Sequence, residues 1–247
     1  MLKNEGKDVL QGLTKSMLFL EKMYDVDTID AVKTFYKELG KTANETENMM
    51  YRMVNTAQSS NVPVAEYIKT LESLGMTFKT IGIDVDIAEG SLDKMVRDGM
   101  SLDSARSMLQ SFGNAINSFG NNWGEAGFYG VMSGQYSDPF KAGWEAVDRW
   151  DENGNVKAGA AEKVANSYAT ELALYRNLGT EDVGKTLMRN NLMSHGFTDK
   201  DAVTLINKIG DGDMSGFVKM FTEKSKDLGK DTIRIEGQKE LESDLIE

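Results

Sequence analysis

The feature of this chain that most constrains its fold is a near-repeat of a helix stop followed at once by a helix start. The segment Gly82-Ile-Asp-Val-Asp-Ile-Ala88 recurs with substitutions as Gly99-Met-Ser-Leu-Asp-Ser-Ala105. Glycine suits the left-handed position that ends a helix, and Asp84 or Ser101 can accept hydrogen bonds from the first amides of the next helix. The sequence therefore predicts a series of short capped helices that stack on one another.

The spacing of apolar residues extends the helical prediction over most of the chain. Asp27 is expected to cap a helix that ends at Gly40, the next helix covers 44–60, and another begins at Asn61-Val-Pro63 and runs through Phe78. Further helices are predicted over 160–178, 183–193, 199–209 and 216–226. The expected fold class is all-α, an array of short capped helices in one or two helical subdomains.

The stretch from Gly113 to Trp144 has a different composition, because glycines alternate with aromatic residues. Its members are Gly113, Gly120, Gly124, Gly127, Gly130, Gly134 and Gly143, with Trp123, Phe128, Tyr129, Tyr136 and Phe140. Glycine disfavours regular helices, so this stretch is predicted to be irregular or to mark a domain boundary. It is followed by Asp151-Glu-Asn-Gly-Asn155, whose Asn-Gly pair favours a small β-turn or hairpin near 149–157.

These observations predict four regions. Residues 1–112 form a helical subdomain, 113–158 a glycine-rich and aromatic connector, 159–228 a second helical subdomain, and 229–247 a charged tail. The formal net charge of −11 argues against direct nucleic-acid binding and against anionic membranes, both of which recruit clusters of Lys and Arg. The chain contains no cysteine, which excludes disulfides, thiolate nucleophiles and cysteine zinc sites.

A phosphate-loop pattern is present at Gly179-Thr-Glu-Asp-Val-Gly-Lys-Thr186, and it nominates Gly179, Gly184, Lys185 and Thr186 as nucleotide ligands. A functional phosphate loop follows a buried strand, whereas the residues before Gly179 are predicted to be helical, and Glu181 and Asp182 would repel phosphates. We therefore interpret the segment as a turn between two helices and predict no cofactor.

A second pattern, beginning at Asp211, places Asp211, Asp213 and Ser215 at calcium-loop positions. The twelfth position holds Thr222 instead of a bidentate glutamate, so we predict no metal site there. We also predict no catalytic residues. His195 is the only histidine and is expected near a helix C-terminus before Gly196, and no pair of carboxylates stands out from the solvated background.

The order of these segments resembles the core region of the tail tape measure proteins of long-tailed bacteriophages. The resemblance covers most of 44–227 and is carried by Met50–Gln58, Val64–Gly75, Ile81–Asp84, Gly99–Ala105, Met108–Gln110, Pro139–Val147 and Asp151–Asn155. The glycine-rich insert at 117–136 is longer than the family pattern, and members of the family are much longer than 247 residues. We therefore expect the chain to be a segment of a longer protein.

The resemblance implies a structural role rather than an enzymatic one. Proteins of this kind template assembly of the tail tube, fill its lumen and leave ahead of the DNA during ejection. The implied partners are the tail tube protein, tail tip or baseplate proteins and tail assembly chaperones. The implied location is the lumen of the tail tube in the virion, after assembly in the host cytoplasm. The symmetry of a tail further implies a homo-oligomer, a trimer or a hexamer.

Two other interpretations of the sequence stay open. One is a helical interaction or adaptor domain, whose surface should carry an apolar groove for a partner helix. The other is a nucleotide-binding domain that uses the phosphate-loop pattern over 179–186.

Overall fold

The computed structural model describes residues 7–154, 156, 157, 159–209 and 218. The described residues form eleven α-helices and one π-helical segment, without a β-strand, so the predicted all-α fold class is confirmed. The α-helices are α1 (Lys7–Tyr24), α2 (Thr28–Val32), α3 (Ala43–Ser59), α4 (Val64–Thr80), α5 (Val85–Arg97), α6 (Leu102–Asn121), α7 (Trp123–Met132), α8 (Pro139–Val147), α9 (Ala160–Arg176), α10 (Glu181–Ser194) and α11 (Asp199–Ile209).

The two copies of the near-repeat end and start helices as predicted. Gly82 and Gly99 have φ angles of 76° and 87°, the left-handed conformation that glycine adopts most readily. The Asp84 carboxylate accepts a hydrogen bond of 2.9 Å from the amide of Asp86 at the start of α5. Ser101 Oγ accepts one of 3.3 Å from the amide of Ser104 at the start of α6. Both junctions are therefore encoded locally.

The predicted helix between Asp27 and Gly40 is present but changes its hydrogen-bond pattern. Asp27 caps α2 by accepting a hydrogen bond of 3.2 Å from the amide of Asp30. The chain then continues directly into the π-helical segment Lys33–Glu38. Gly40 follows this segment and has a φ angle of 74°. This segment keeps Phe35 fully buried.

The apolar core extends over both halves of the described chain. Met49, Met50 and Met53 of α3 are buried, so these methionines fill the core. Helix α6 is the common neighbour, because it contacts α4, α5, α7, α8, α9 and α11. The ring of Phe119 on α6 lies 5.1 Å from the ring of Tyr168 on α9. Burying large side chains of this kind contributes about 1.5–3 kcal/mol each.

Buried polar contacts join helices that are distant in sequence. Arg52 of α3 donates two hydrogen bonds to the buried carboxylate of Glu89 on α5, with N···O distances of 2.8 and 2.6 Å. The Asp201 carboxylate of α11 accepts hydrogen bonds of 2.8 and 2.9 Å from the hydroxyl groups of Ser107 and Ser111 on α6. These contacts satisfy carboxylates that would otherwise be buried at a large cost in free energy.

Most of the stretch from Gly113 to Trp144 is helical, so the prediction that it is irregular is wrong for all but the turns between these helices. Helix α6 runs without interruption to Asn121, α7 follows after one residue, and α8 begins at Pro139. Several of these glycines lie where two helices approach closely, so the free energy lost to weak helix propensity is offset by packing that a larger residue would prevent.

The predicted turn near 149–157 is present. Trp150 pairs with Val156 as an antiparallel bridge, and the amide of Lys157 donates a 2.8 Å hydrogen bond to the carbonyl oxygen of Arg149. Gly154 supplies the positive φ angle of 77° that the turn needs. The predicted helix 216–226, the charged tail 229–247 and the calcium-loop residues Asp211, Asp213 and Ser215 lie outside the described residues, apart from the buried Val218.

Candidate functional site

Helices α7 and α8 form a closely packed hairpin whose contact is made by glycine. A Cβ atom built on Gly127 would lie 2.5 Å from the carbonyl oxygen of Pro139, and one built on Gly143 would lie 2.5 Å from the carbonyl oxygen of Trp123. Real Cβ atoms do not approach other atoms this closely. The two helix backbones can therefore touch only because these positions lack side chains.

The outer side of this hairpin carries exposed apolar residues. Trp123, Phe140, Trp144 and Val147 are 44%, 66%, 66% and 37% exposed, and we call this group the aromatic face. Phe140, Trp144 and Val147 share one side of α8 because they follow helical spacing, and the ring of Trp123 lies 5.3 Å from that of Phe140. Adjacent exposed aromatic side chains of this kind are typical of interaction surfaces.

Beneath the hairpin, three ionisable side chains meet in the interior, and we call them the polar triad. Glu125 comes from α7, Glu171 from α9, and His195 from the residue that ends α10. The His195 Nε2 atom lies 3.6 Å from Glu125 Oε1 and 4.0 Å from Glu171 Oε2. Glu171 and His195 are buried, whereas the Glu125 side chain is 22% exposed.

The remaining polar atom of each member of the polar triad has its own hydrogen bond. Asn122 Nδ2 donates to Glu125 Oε2 at 2.8 Å, and Asn191 Nδ2 donates to Glu171 Oε1 at 2.8 Å. His195 Nδ1 lies 3.2 Å from the hydroxyl oxygen of Ser118. These contacts fix the orientation of the three side chains.

Burial dominates the electrostatics of the polar triad. It raises the pKa of Glu171 to about 8, and the neighbouring carboxylate of Glu125 contributes to that rise. Burial also lowers the pKa of the His195 imidazole, although Glu125 opposes this effect. The rings of Phe119 and Tyr168 lie 6.0 and 5.1 Å from the imidazole and form an apolar wall. The triad therefore favours neutral Glu171 and neutral His195 near pH 7.

A comparison with protein families identifies the chain. The family described as phage-related minor tail protein matches residues 5–135, which is more than half of the 247 residues. The chain belongs to this family. No curated protein and no solved structure matches the chain. The matched range of this minor tail protein includes Trp123 and Glu125. Phe140, Glu171 and His195 lie after the end of that range.

The phosphate-loop pattern of this minor tail protein lies on a turn between two helices, as we interpreted it from the sequence. Gly179 has a φ angle of 74° between α9 and α10, while Gly184, Lys185 and Thr186 lie within α10. The Lys185 ammonium pairs with Glu181, and Thr186 Oγ1 donates to the carbonyl oxygen of Asp182.

The role of Gly184 in this pattern is packing. A Cβ atom there would lie 2.3 Å from the carbonyl oxygen of Arg176 at the end of α9. The glycine therefore lets α10 pack closely against the end of the preceding helix. Among the helices in the described ranges, none is long and apolar enough to cross a bilayer.

Sequence reasoning missed the polar triad. It placed His195 correctly at the end of a helix, where the residue ends α10, but it did not predict that the imidazole is buried between two carboxylates. The only local signal is the position of Glu171, which lies three residues after Tyr168 and next to Leu172 on the buried side of α9. The approach of Glu125 depends on the hairpin fold and carries no signal in the sequence.

Proposed function

We propose that this minor tail protein is a segment of a tape measure protein, with a structural and non-enzymatic role in tail assembly and DNA ejection. In this proposal the segment lies in the lumen of the tail tube and contacts the tube protein, the tip or baseplate proteins and the assembly chaperones. The family match over residues 5–135 is the observation that carries the proposal. The net charge of −11 supports it, because an acidic protein does not retain DNA that must pass through the same tube.

The packing of the helices favours a folded role over an extended one. The longest described helix, α6, has 20 residues and spans about 30 Å. It contacts six other helices, so much of its length is used for a core rather than for reach along a tube. We therefore place this segment in a terminal or tip-associated region of the tape measure protein.

The aromatic face supplies a candidate contact for assembly. We propose that Phe140 and Trp144 of each copy meet those of the other copies around the symmetry axis of a homo-oligomer, a trimer or a hexamer. Both rings are 66% exposed, and burial of such rings is a large source of binding free energy. The rotational symmetry of a tail is compatible with this arrangement.

Tail length tests the proposed role directly. We would delete codons 44–112 in frame from the phage gene and measure tail length by electron microscopy. If the residues were extended helix in the tail, the deletion would shorten it by about 100 Å. We expect tails of normal length that have lost infectivity, as a folded tip or ejection role requires. Normal tails with normal infectivity would refute the tape measure proposal.

A ligand test addresses the nucleotide-binding alternative. A bound nucleotide would raise the melting temperature by mass action, and Lys185→Ala would remove that rise. We expect no change in melting temperature with ATP and magnesium for either protein, because Lys185 is paired with Glu181 on α10. A rise in the wild-type protein that Lys185→Ala abolishes would contradict the structural role proposed here.

A further inference from the structure

The polar triad has the composition and spacing of a metal-ligand set. Its three ligand atoms, one carboxylate oxygen each from Glu125 and Glu171 and one ring nitrogen of His195, all lie within 4.8 Å of one another. Two ligands bound to zinc at about 2.1 Å in tetrahedral geometry are roughly 3.4 Å apart. The separation of 3.6 Å between His195 Nε2 and Glu125 Oε1 is close to this value. The 4.0 Å separation from Glu171 Oε2 needs a shift of about half an ångström.

A second, independent observation is the state of Glu171. Its side chain is 1% exposed, and its Oε2 atom has no hydrogen-bond partner although it faces His195. Buried carboxylate oxygens without partners are rare because their desolvation is not compensated. The other oxygen, Oε1, already accepts the hydrogen bond from Asn191. The side chain is therefore held with Oε2 facing the centre of the triad.

The surrounding hydrogen bonds match those that orient metal ligands. Glu125 uses Oε2 for Asn122, Glu171 uses Oε1 for Asn191, and His195 has Nδ1 beside Ser118. Each contact uses the atom that does not face the centre, which leaves Glu125 Oε1, Glu171 Oε2 and His195 Nε2 free to converge. Metal-binding histidines and carboxylates are typically held by such second hydrogen bonds.

We propose that Glu125, Glu171 and His195 bind one divalent transition-metal ion of the zinc class. An imidazole nitrogen combined with carboxylates suits zinc, and it disfavours magnesium and calcium, which prefer oxygen ligands alone. The partly exposed side chain of Glu125 provides the route of entry. A bound ion would link the α7–α8 hairpin to α9 and α10, so its role is to stabilise the docking of these helices.

The test uses the full chain, stripped of metal with a chelator and then titrated with zinc chloride. We expect one zinc ion per chain by calorimetry. We also expect the melting temperature to rise by about 5 °C or more when free zinc is a hundredfold above its Kd. Cobalt(II) at the same site should give d–d absorption far more intense than that of the hydrated ion, which reports an inner-sphere complex without relying on stability.

Isosteric variants locate the bound ion. Glu171→Gln keeps the acceptor for Asn191 but cannot release a proton to become the anionic ligand that zinc binds, and we expect zinc affinity to fall at least a hundredfold. Glu125→Gln, at the partly exposed member, provides the same test with less risk to folding. The matched control is Glu162→Gln, which removes an exposed carboxylate from the same helix α9 and should leave zinc affinity unchanged.

Two outcomes would overturn the proposal. If the stripped wild-type protein shows neither stoichiometric zinc binding nor a cobalt spectrum, the triad is a hydrogen-bonded network in which the two carboxyl groups share a proton. If zinc binds but both Gln variants bind it equally well, the ion is held by surface carboxylates. Both results are independent of tail length and infectivity, so failure here is distinguishable from failure of the proposed function.

Discussion

The backbone of Gly127 lies directly against the carbonyl oxygen of Pro139, at a distance that leaves no room for a side chain. The two residues belong to α7 and α8, and a Cβ atom on Gly127 would lie 2.5 Å from the oxygen. Because the contact is with backbone, the neighbour has no flexible side chain that could move aside. The position of α8, and with it the aromatic face, therefore depends on the absence of a single methyl group.

Gly127→Ala is expected to destabilise the fold by about 1–3 kcal/mol, because the added methyl group overpacks the contact between α7 and α8. The matched control is Gly124→Ala on the same helix, where nothing lies within 4 Å of the added Cβ. That change should be neutral or stabilising by a few tenths of a kcal/mol, since alanine favours helix. Urea unfolding measured by circular dichroism gives both values. Equal effects would show that the hairpin contact is not tight.

Arg149→Lys is expected to destabilise the protein by about 2–4 kcal/mol, although the charge is kept. The guanidinium is fully buried and donates to the carbonyl oxygen of Ile116 and to the side-chain oxygens of Asn117 and Asn121, at 3.3, 3.2 and 3.0 Å. A lysine ammonium cannot reproduce this fork and would lose part of this set of hydrogen bonds. The control Arg106→Lys changes an exposed residue of α6 and should alter stability by less than about 0.5 kcal/mol.

Glu72→Gln is expected to change how stability depends on pH. Burial, followed by the charges of Asp30 and Asp27, raises the pKa of Glu72 from 4.5 to about 7. The folded chain therefore binds more protons than the unfolded chain between these pH values. As a result, this carboxyl group lowers the free energy of unfolding as the pH rises through the window. The glutamine side chain does not titrate, so the free energy of unfolding of the variant does not fall for this reason.

The pH effect is measured as the difference in unfolding free energy between Glu72→Gln and the wild type. This difference should move in favour of the variant by about 1–2 kcal/mol between pH 4 and pH 8, after allowance for solvent screening of a half-buried group. Glu66→Gln provides the control, since Glu66 is an exposed residue of the same helix α4. A difference that stays constant with pH would contradict the prediction.

Replacement of Phe140 and Trp144 by serine is expected to abolish self-association without unfolding the chain. Both side chains are mostly exposed, so their loss removes apolar contact area from the proposed interface while the core is unchanged. Analytical ultracentrifugation of the wild type and the double variant measures the effect. Phe128→Ser is the control, because Phe128 is 56% exposed on α7 but lies about 140° around the helix from Trp123. A wild-type monomer, or an oligomer that survives both serines, would refute the interface.

The predictions that succeeded from the sequence rest on contacts between residues a few positions apart. Asp84 and Ser101 cap the helices that they were expected to cap, Gly82 and Gly99 adopt positive φ angles, and Gly154 forms the predicted turn. In each case the hydrogen bonds and backbone angles involve neighbours along the chain. The local sequence therefore determines them without reference to the rest of the fold.

Contacts between distant residues decided what the sequence could not. Glycine has the same poor helix propensity at Gly124 and at Gly127, but only the second position touches another helix, and this tertiary contact turns the predicted connector into a hairpin. Glu125, Glu171 and His195 come from three helices and meet only after those helices pack around α6. Their burial and mutual distances, which determine protonation and metal affinity, are properties of that packing and are absent from any local pattern.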